Sequence, residues 1–198
     1  NMKNYNIIKN LPFQNLKGIS QKTLDIHWGK LYQGYVKKWQ EIQEKLKTAD
    51  LGLANASFSD LRELKLEESF AADAVLLHEA YFDILGGDGK IKGEIIKIIA
   101  KNFGSFESWQ NEFKALGLCA RGWVILAYDF NNGELRNYTA DLHNQGGIWG
   151  AAPIVVIDVY EHAYFIDFGA DRKAYIEAYF QNLNWPAINQ KYLNIIKN

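Results

Sequence analysis

Asp158-Val159-Tyr160-Glu161-His162-Ala163-Tyr164 is the stretch on which the reading of this chain turns. It follows Pro153-Ile154-Val155-Val156-Ile157, a short β-branched run opened by a proline, which predicts a buried strand. A carboxylate and an imidazole therefore stand at the end of a hydrophobic strand. Asp158, buried without a partner, would be costly, so it needs a cation or a donor. A metal ion that also takes His162 satisfies both groups. The same residues have a plainer reading: an aspartate at a strand end is often a cap, and a lone histidine a hydrogen-bonded core residue.

Working outward, the neighbouring segments keep the period of strands. Trp123-Val124-Ile125-Leu126-Ala127-Tyr128-Asp129 reads as a strand, Asn131-Asn132-Gly133 as a hairpin turn, and Leu135–Thr139 as the return strand. The loop His143-Asn144-Gln145-Gly146-Gly147 leads through Trp149 into the strand at 153–158. Successive strands of this kind predict a small antiparallel sheet. Helical periodicity returns at about Lys173–Gln181, and Trp185-Pro186 opens a last helix to about Leu193.

Before the strands, the chain is helical. Ser20 is a candidate N-cap for a long pattern reaching about Lys47, with Leu24, His27, Leu31, Tyr35 and Trp39 on one face. Residues four apart share a side, which lines up His27, Leu31 and Tyr35. A second helix reads from about Glu67 to Leu85, with His78 inside its apolar stripe. His78-Glu79 lacks the second histidine of a zinc-protease motif. Two long helices joined by the Asp50–Asp60 link predict an antiparallel hairpin with one inward histidine on each arm. Gly86-Gly87-Asp88-Gly89 is the clearest break, read as a hinge between 1–88 and 89–198. No strand precedes it and no Lys-Ser/Thr follows, so it is no phosphate loop. Ile91–Phe103 and Phe106–Ala120 read as two shorter helices, the second capped by Ser105. Helices, then strands, then helices make an α+β fold.

The 198 residues carry a formal net charge of −1, which argues against a nucleic-acid surface. No apolar run approaches the roughly 20 residues that span a bilayer, and Asn1–Tyr5 lacks a signal-peptide core. Cys119, the single cysteine, excludes an internal disulfide, fits a reducing compartment and is expected in the core. These features predict a cytoplasmic protein with no membrane or nucleic-acid partner.

With these residues laid out, the chain resembles the iron/manganese superoxide dismutases from about Leu11 to Tyr192. Asp158–Tyr164 matches the family's Asp-x-Trp-Glu-His-Ala-Tyr signature with one change. Asp25-Ile26-His27-Trp28-Gly29-Lys30 and Gln33-Gly34-Tyr35-Val36 match its first-helix motif, Gly122-Trp123 its active-site strand, Asn144-Gln145 its Asn-Gln loop, and Asn184-Trp185 a late marker. The resemblance implies an N-terminal antiparallel helical hairpin and a C-terminal α/β domain with a three-stranded antiparallel sheet. It implies that His27, His78, Asp158 and His162 hold one Mn or Fe ion per subunit. Three imidazoles and a carboxylate suit such a metal, whereas a structural zinc site would draw on cysteines the chain does not have. A cationic site in a funnel would attract the superoxide anion.

The resemblance further places Gln145 on the metal-bound solvent, Tyr35 at the entrance and Trp123 on the active-site strand. In the family that glutamine comes from the loop or from four residues before the second-helix histidine; the latter is Ala74 here, which favours Mn slightly. Glu161 is implied to reach His162 of a partner, giving a homodimer at minimum, with a tetramer open. Leu31, Phe82, Tyr160 and Phe165 depart from the family pattern. Leu31 and Phe165 replace two polar residues that bond to each other, and losing both together can be nearly neutral. The expected activity is dismutation of superoxide to oxygen and hydrogen peroxide by alternate reduction and oxidation of the metal. The alternatives are a superoxide-dismutase-fold protein serving as a metal-binding or scaffold subunit, and a metal-dependent peroxidase or oxygenase.

Overall fold

A computed structural model describes residues 5–197 of the chain; the reading of residues 1–4 lies outside them. Ser20 caps the first helix, its hydroxyl accepting the Thr23 N–H at 3.2 Å. Helix α1 (Gln21–Ile26) runs through a π-helical turn at His27–Tyr32 into α2 (Gln33–Leu46). The wider turn shifts the phase of the side chains. Trp28 and Tyr32 are therefore buried beside His27 and stack at 4.2 Å, a pair that the simple four-residue stripe omits.

Helix α3 spans Asp60–Phe82, beginning two turns before the predicted Glu67. Those turns are largely exposed, with only Leu61 and Leu64 half-buried, so their apolar stripe is thin. Their signal is the cap: Ser59 Oγ accepts the Arg62 N–H at 3.3 Å, with Asp60 and Glu63 in the first turn. The second half of α3, from Ala71, is buried, and α2 and α3 pack as the predicted hairpin. Helix α4 (Ile95–Phe103) starts later than Ile91 because Gly93 sits at φ +110°. Helix α5 (Phe106–Cys119) is capped by Ser105, and Cys119 at its end is exposed rather than in the core.

Gly86–Gly89, read from sequence as a hinge, is tied down by its neighbours. Gly87 donates to the Asn182 carbonyl at 2.9 Å, and Asn184 donates to that of Ile84 at 2.8 Å. A Cβ at Gly87 would lie 2.3 Å from the Leu183 oxygen, so the glycine serves close backbone approach.

Strands β1 (Trp123–Asp129), β2 (Glu134–Ala140) and β3 (Ala151–Asp158) form one antiparallel sheet in the order β2-β1-β3. β3 lies at an edge, where Pro153 is tolerated. Trp123 pairs with Asp158 across β1 and β3, which sets the start of one strand against the end of the other. Helix α3 packs on β3, α5 on β1 and α4 on β2. A single-turn α6 (Phe165–Phe168), α7 (Arg172–Gln181) and α8 (Trp185–Ile196) close the chain. One hydrophobic cluster runs through both halves, from Trp28 and Val75 to Trp123, Ile157 and Trp185. The fold is α+β, with helices first and a three-stranded antiparallel sheet after them.

Candidate metal centre

Each of four elements brings to one point a side chain that could ligate a metal. His27 opens the π turn, His78 lies in the buried half of α3, Asp158 ends β3, and His162 sits in the 3₁₀ turn Glu161–Ala163. Asp158 Oδ2 lies 3.0 Å from His27 Nε2, 3.1 Å from His162 Nε2 and 3.7 Å from His78 Nε2. The four ligand atoms are all within 4.8 Å of one another. The chain fixes the carboxylate from behind. Oδ1 accepts the Tyr160 N–H at 2.9 Å, and the Asp158 carbonyl accepts the Tyr175 hydroxyl at 2.7 Å.

The donor set fits a cation on an observation of its own. His78 Nδ1 lies 2.7 Å from the Ala74 carbonyl, which can only accept, so Nδ1 carries the proton. Nε2 then holds a lone pair, is fully buried, and has no hydrogen-bond partner. It faces the Asp158 oxygen, acceptor to acceptor. A cation between them removes the conflict.

Electrostatics favour the binding form in three of the four candidate ligands: His27 and His78 neutral, Asp158 ionised. Burial, aided by His27, pushes His78 down to about 3. Burial also lowers His27, outweighing Asp158. Burial pushes the Asp158 carboxyl up, but His162 and His27 outweigh it and hold the group well below the usual carboxylate range. His162 goes the other way: burial lowers it, and Asp158 more than restores it.

Aromatic rings wall the centre. Phe82 sets an edge on His27 at 4.9 Å, Trp123 on His78 at 5.0 Å, and Tyr160 stacks on His162 at 5.4 Å. Tyr35 is half-buried beside His78, with ring centroids 5.5 Å apart. Leu31 is half-buried and Phe165 is exposed.

The loop between β2 and β3 differs from the sequence reading. Gln145, expected to turn toward the metal, is exposed and makes no side-chain contact with the ligands. The loop residue that reaches inward is His143, which is buried. Trp123 Nε1 donates to His143 Nδ1 at 3.0 Å, so the His143 proton sits on Nε2 and is given to the Tyr35 oxygen at 3.0 Å. Burial pushes His143 down to about 4, which keeps this ring neutral. A turn through Gly146, at φ +98° with the Thr139 oxygen 2.0 Å from where a Cβ would stand, sets the loop's path. With Gln145 exposed, the slight preference for Mn that a glutamine at 145 and Ala74 imply has no support in the geometry. A signal was available in the sequence: the chain has four histidines, and the one left over precedes Gln145 by two residues. Glu161 is exposed at the surface, next to the ligand His162.

Fold and site together define a class: an α+β protein that joins a helical hairpin to a small antiparallel sheet through three imidazoles and one carboxylate. Comparison with known proteins gives the family. The model of the iron/manganese superoxide dismutase C-terminal domain matches residues 91–191. A relative from Aquifex aeolicus, named an iron superoxide dismutase, is 42% identical over 189 residues, covering 93% of this chain and 89% of its own. One from Cupriavidus metallidurans, also named for iron, is 37% identical with 92% of each chain covered. One from Halobacterium salinarum, named for manganese, is 32% identical, covering 88% of this chain and 86% of its own. The chain belongs to the iron/manganese superoxide dismutase family.

Proposed function

We propose that this protein is a superoxide dismutase in which His27, His78, Asp158 and His162 hold one Mn or Fe ion. The observation that carries the reading is the convergence of three imidazole nitrogens on one carboxylate oxygen, with the buried His78 Nε2 unpaired. When bound, the metal would supply one-electron chemistry, by which two superoxide anions and two protons become oxygen and hydrogen peroxide.

The chain's own residues would handle the anion and the proton. Phe82, Trp123 and Tyr160 shield the centre from water, so a small anion meets a cation in low dielectric. Tyr35 receives the His143 proton at its oxygen, so its own hydroxyl hydrogen is free to point elsewhere. Burial and then Asp158 raise the Tyr35 hydroxyl, which stays protonated at neutral pH. It is therefore a proton donor for a peroxide leaving the site, with Trp123 and His143 orienting it.

The same site supports a homodimer. His162 is 27% exposed, and its Nδ1 has no partner among the described residues. Histidine ligands almost always give their second nitrogen to a carboxylate, carbonyl or water. Glu161 of a second copy would supply that carboxylate. No helix among the described residues is long and apolar enough to cross a membrane.

The test is the decay of a superoxide pulse on protein reconstituted separately with Mn and with Fe, metal quantified in each. Faster decay is expected: with one metal alone it gives the metal preference, and with both it shows that either metal supports turnover. No acceleration at full occupancy would sink the dismutase reading and bring the scaffold reading forward.

A further inference from the structure

The strongest feature that the metal site does not absorb lies behind it. Glu79 follows the ligand His78 and is 3% exposed. Its Oε1 accepts the Tyr32 hydroxyl at 3.0 Å, and its Oε2 is paired with the Lys9 ammonium. The Lys9 N–H also donates to the Tyr32 oxygen at 3.2 Å, which closes a three-residue ring. Tyr32 is the last residue of the π turn that His27 opens. The ring therefore joins the residue after one ligand to the turn that carries another. Contacts continue inward: Tyr32 stacks on Trp28, Trp28 sets its edge to Phe82 at 4.9 Å, and Phe82 does the same to His27.

Lys9 comes from the irregular segment ahead of α1, which is fastened along its length. Gln40 Nε2 donates to the Asn6 carbonyl at 2.9 Å, and Asn182 holds both the N–H and the carbonyl of Lys17 at 2.8 Å. Glu79 is the buried member of the pair, and Lys9, at 42% exposed, is the cation that balances it. Removing the lysine would leave a buried carboxylate with the Tyr32 hydroxyl as its one donor, a costly state. The helices would have to part to rehydrate it, and His27 and His78 ride on those helices.

We propose that Lys9, Glu79 and Tyr32 form a latch: through it the N-terminal segment positions the two helix-borne ligands and governs how firmly the chain holds its metal. The inference rests on the metal-site reading above. Lys9, Glu79 and Tyr32 are positioning residues and touch no substrate.

The experiment follows metal release into excess chelator from Mn-loaded protein, with the absorption spectrum of the bound metal recorded beforehand. Lys9→Met and Glu79→Gln should release metal about tenfold faster or more, the scale for partners that orient ligands. Their spectra should shift, and Lys9→Arg should restore both. Lys114→Met, which breaks the remote pair with Glu177 at 2.7 Å, should release metal at the parent rate. If Lys9→Met does not fold, Tyr32→Phe carries the same test by removing a single hydroxyl. Parent-like release from Lys9→Met and Glu79→Gln would overturn the latch, as would equal acceleration by Lys114→Met. A parent protein that takes up no metal would instead overturn the metal-site reading, and the latch with it.

Discussion

His143 shows how far one residue can redirect a site. Trp123 donates to one of its nitrogens and Tyr35 accepts from the other, so its tautomer and orientation are both set. His143→Ala removes the bond to Tyr35, and turnover of the metal-loaded protein should fall about ten- to a hundredfold. Gln145→Ala should leave turnover unchanged, because that side chain is exposed. Comparing the two variants by superoxide-pulse decay decides between the loop residues. Asp158→Asn is the sharper case: it removes the charge on which three imidazoles converge, and metal content after reconstitution should drop to a small fraction of the parent's.

At the scale of elements, the loop from β2 to β3 and the cap of α3 each give a test. Gly146 turns beneath the Thr139 carbonyl, and no Cβ fits at 2.0 Å from that oxygen. Gly146→Ala should displace the loop, carry His143 off Tyr35, and lower turnover while the four ligands keep their metal. Metal content and pulse decay, read together, separate that outcome from general unfolding. Ser59→Ala removes the α3 cap and should cost about 1 kcal/mol in denaturant unfolding. The first turns of α3 lie far along the helix from His78, so metal content should not change.

For the whole molecule, acid and association are the levers. His27, His78 and His143 all titrate below their ordinary value in the fold, so in metal-free protein the unfolded chain takes up protons first. Their contribution to stability is present above about pH 6.5 and is lost as the pH falls toward about 3, the value at His78. Asp158 is lowered too, so its share is lost only in stronger acid. His162 is raised; its share is present in acid and lost as pH rises through its folded value. Three groups against one predict a lower Tm at pH 5 than at pH 7.5 for metal-free protein, checked by calorimetry. Phe165 and Ile166, 54% and 42% exposed, extend the apolar surface just past His162. Under the homodimer proposed above, Phe165→Glu should shift the protein toward monomer in sedimentation velocity, and a parent that already sediments as a monomer would overturn that proposal.

What the chain itself determined is the part written in local pattern. The 3.6-residue stripes on the first two helices, the β-branched run into Asp158 and the Asn-Gly turn are contiguous signals, and from them the element order was legible; the four candidate ligands came from the resemblance to a family motif, not from period. The loop side chain was not legible, because a loop has no period: whether residue 143 or 145 turns inward depends on a glycine packed under a neighbouring strand. The π turn was hidden for a related reason, since its phase shift serves burial of Trp28 and Tyr32 against α3. Nor does any local pattern tie Lys9 to Glu79, whose pairing depends on two segments remote in the chain. Tertiary packing decided these features because each is a choice among local conformations of similar energy, and burying a charge or a ring against a distant element exceeds that difference.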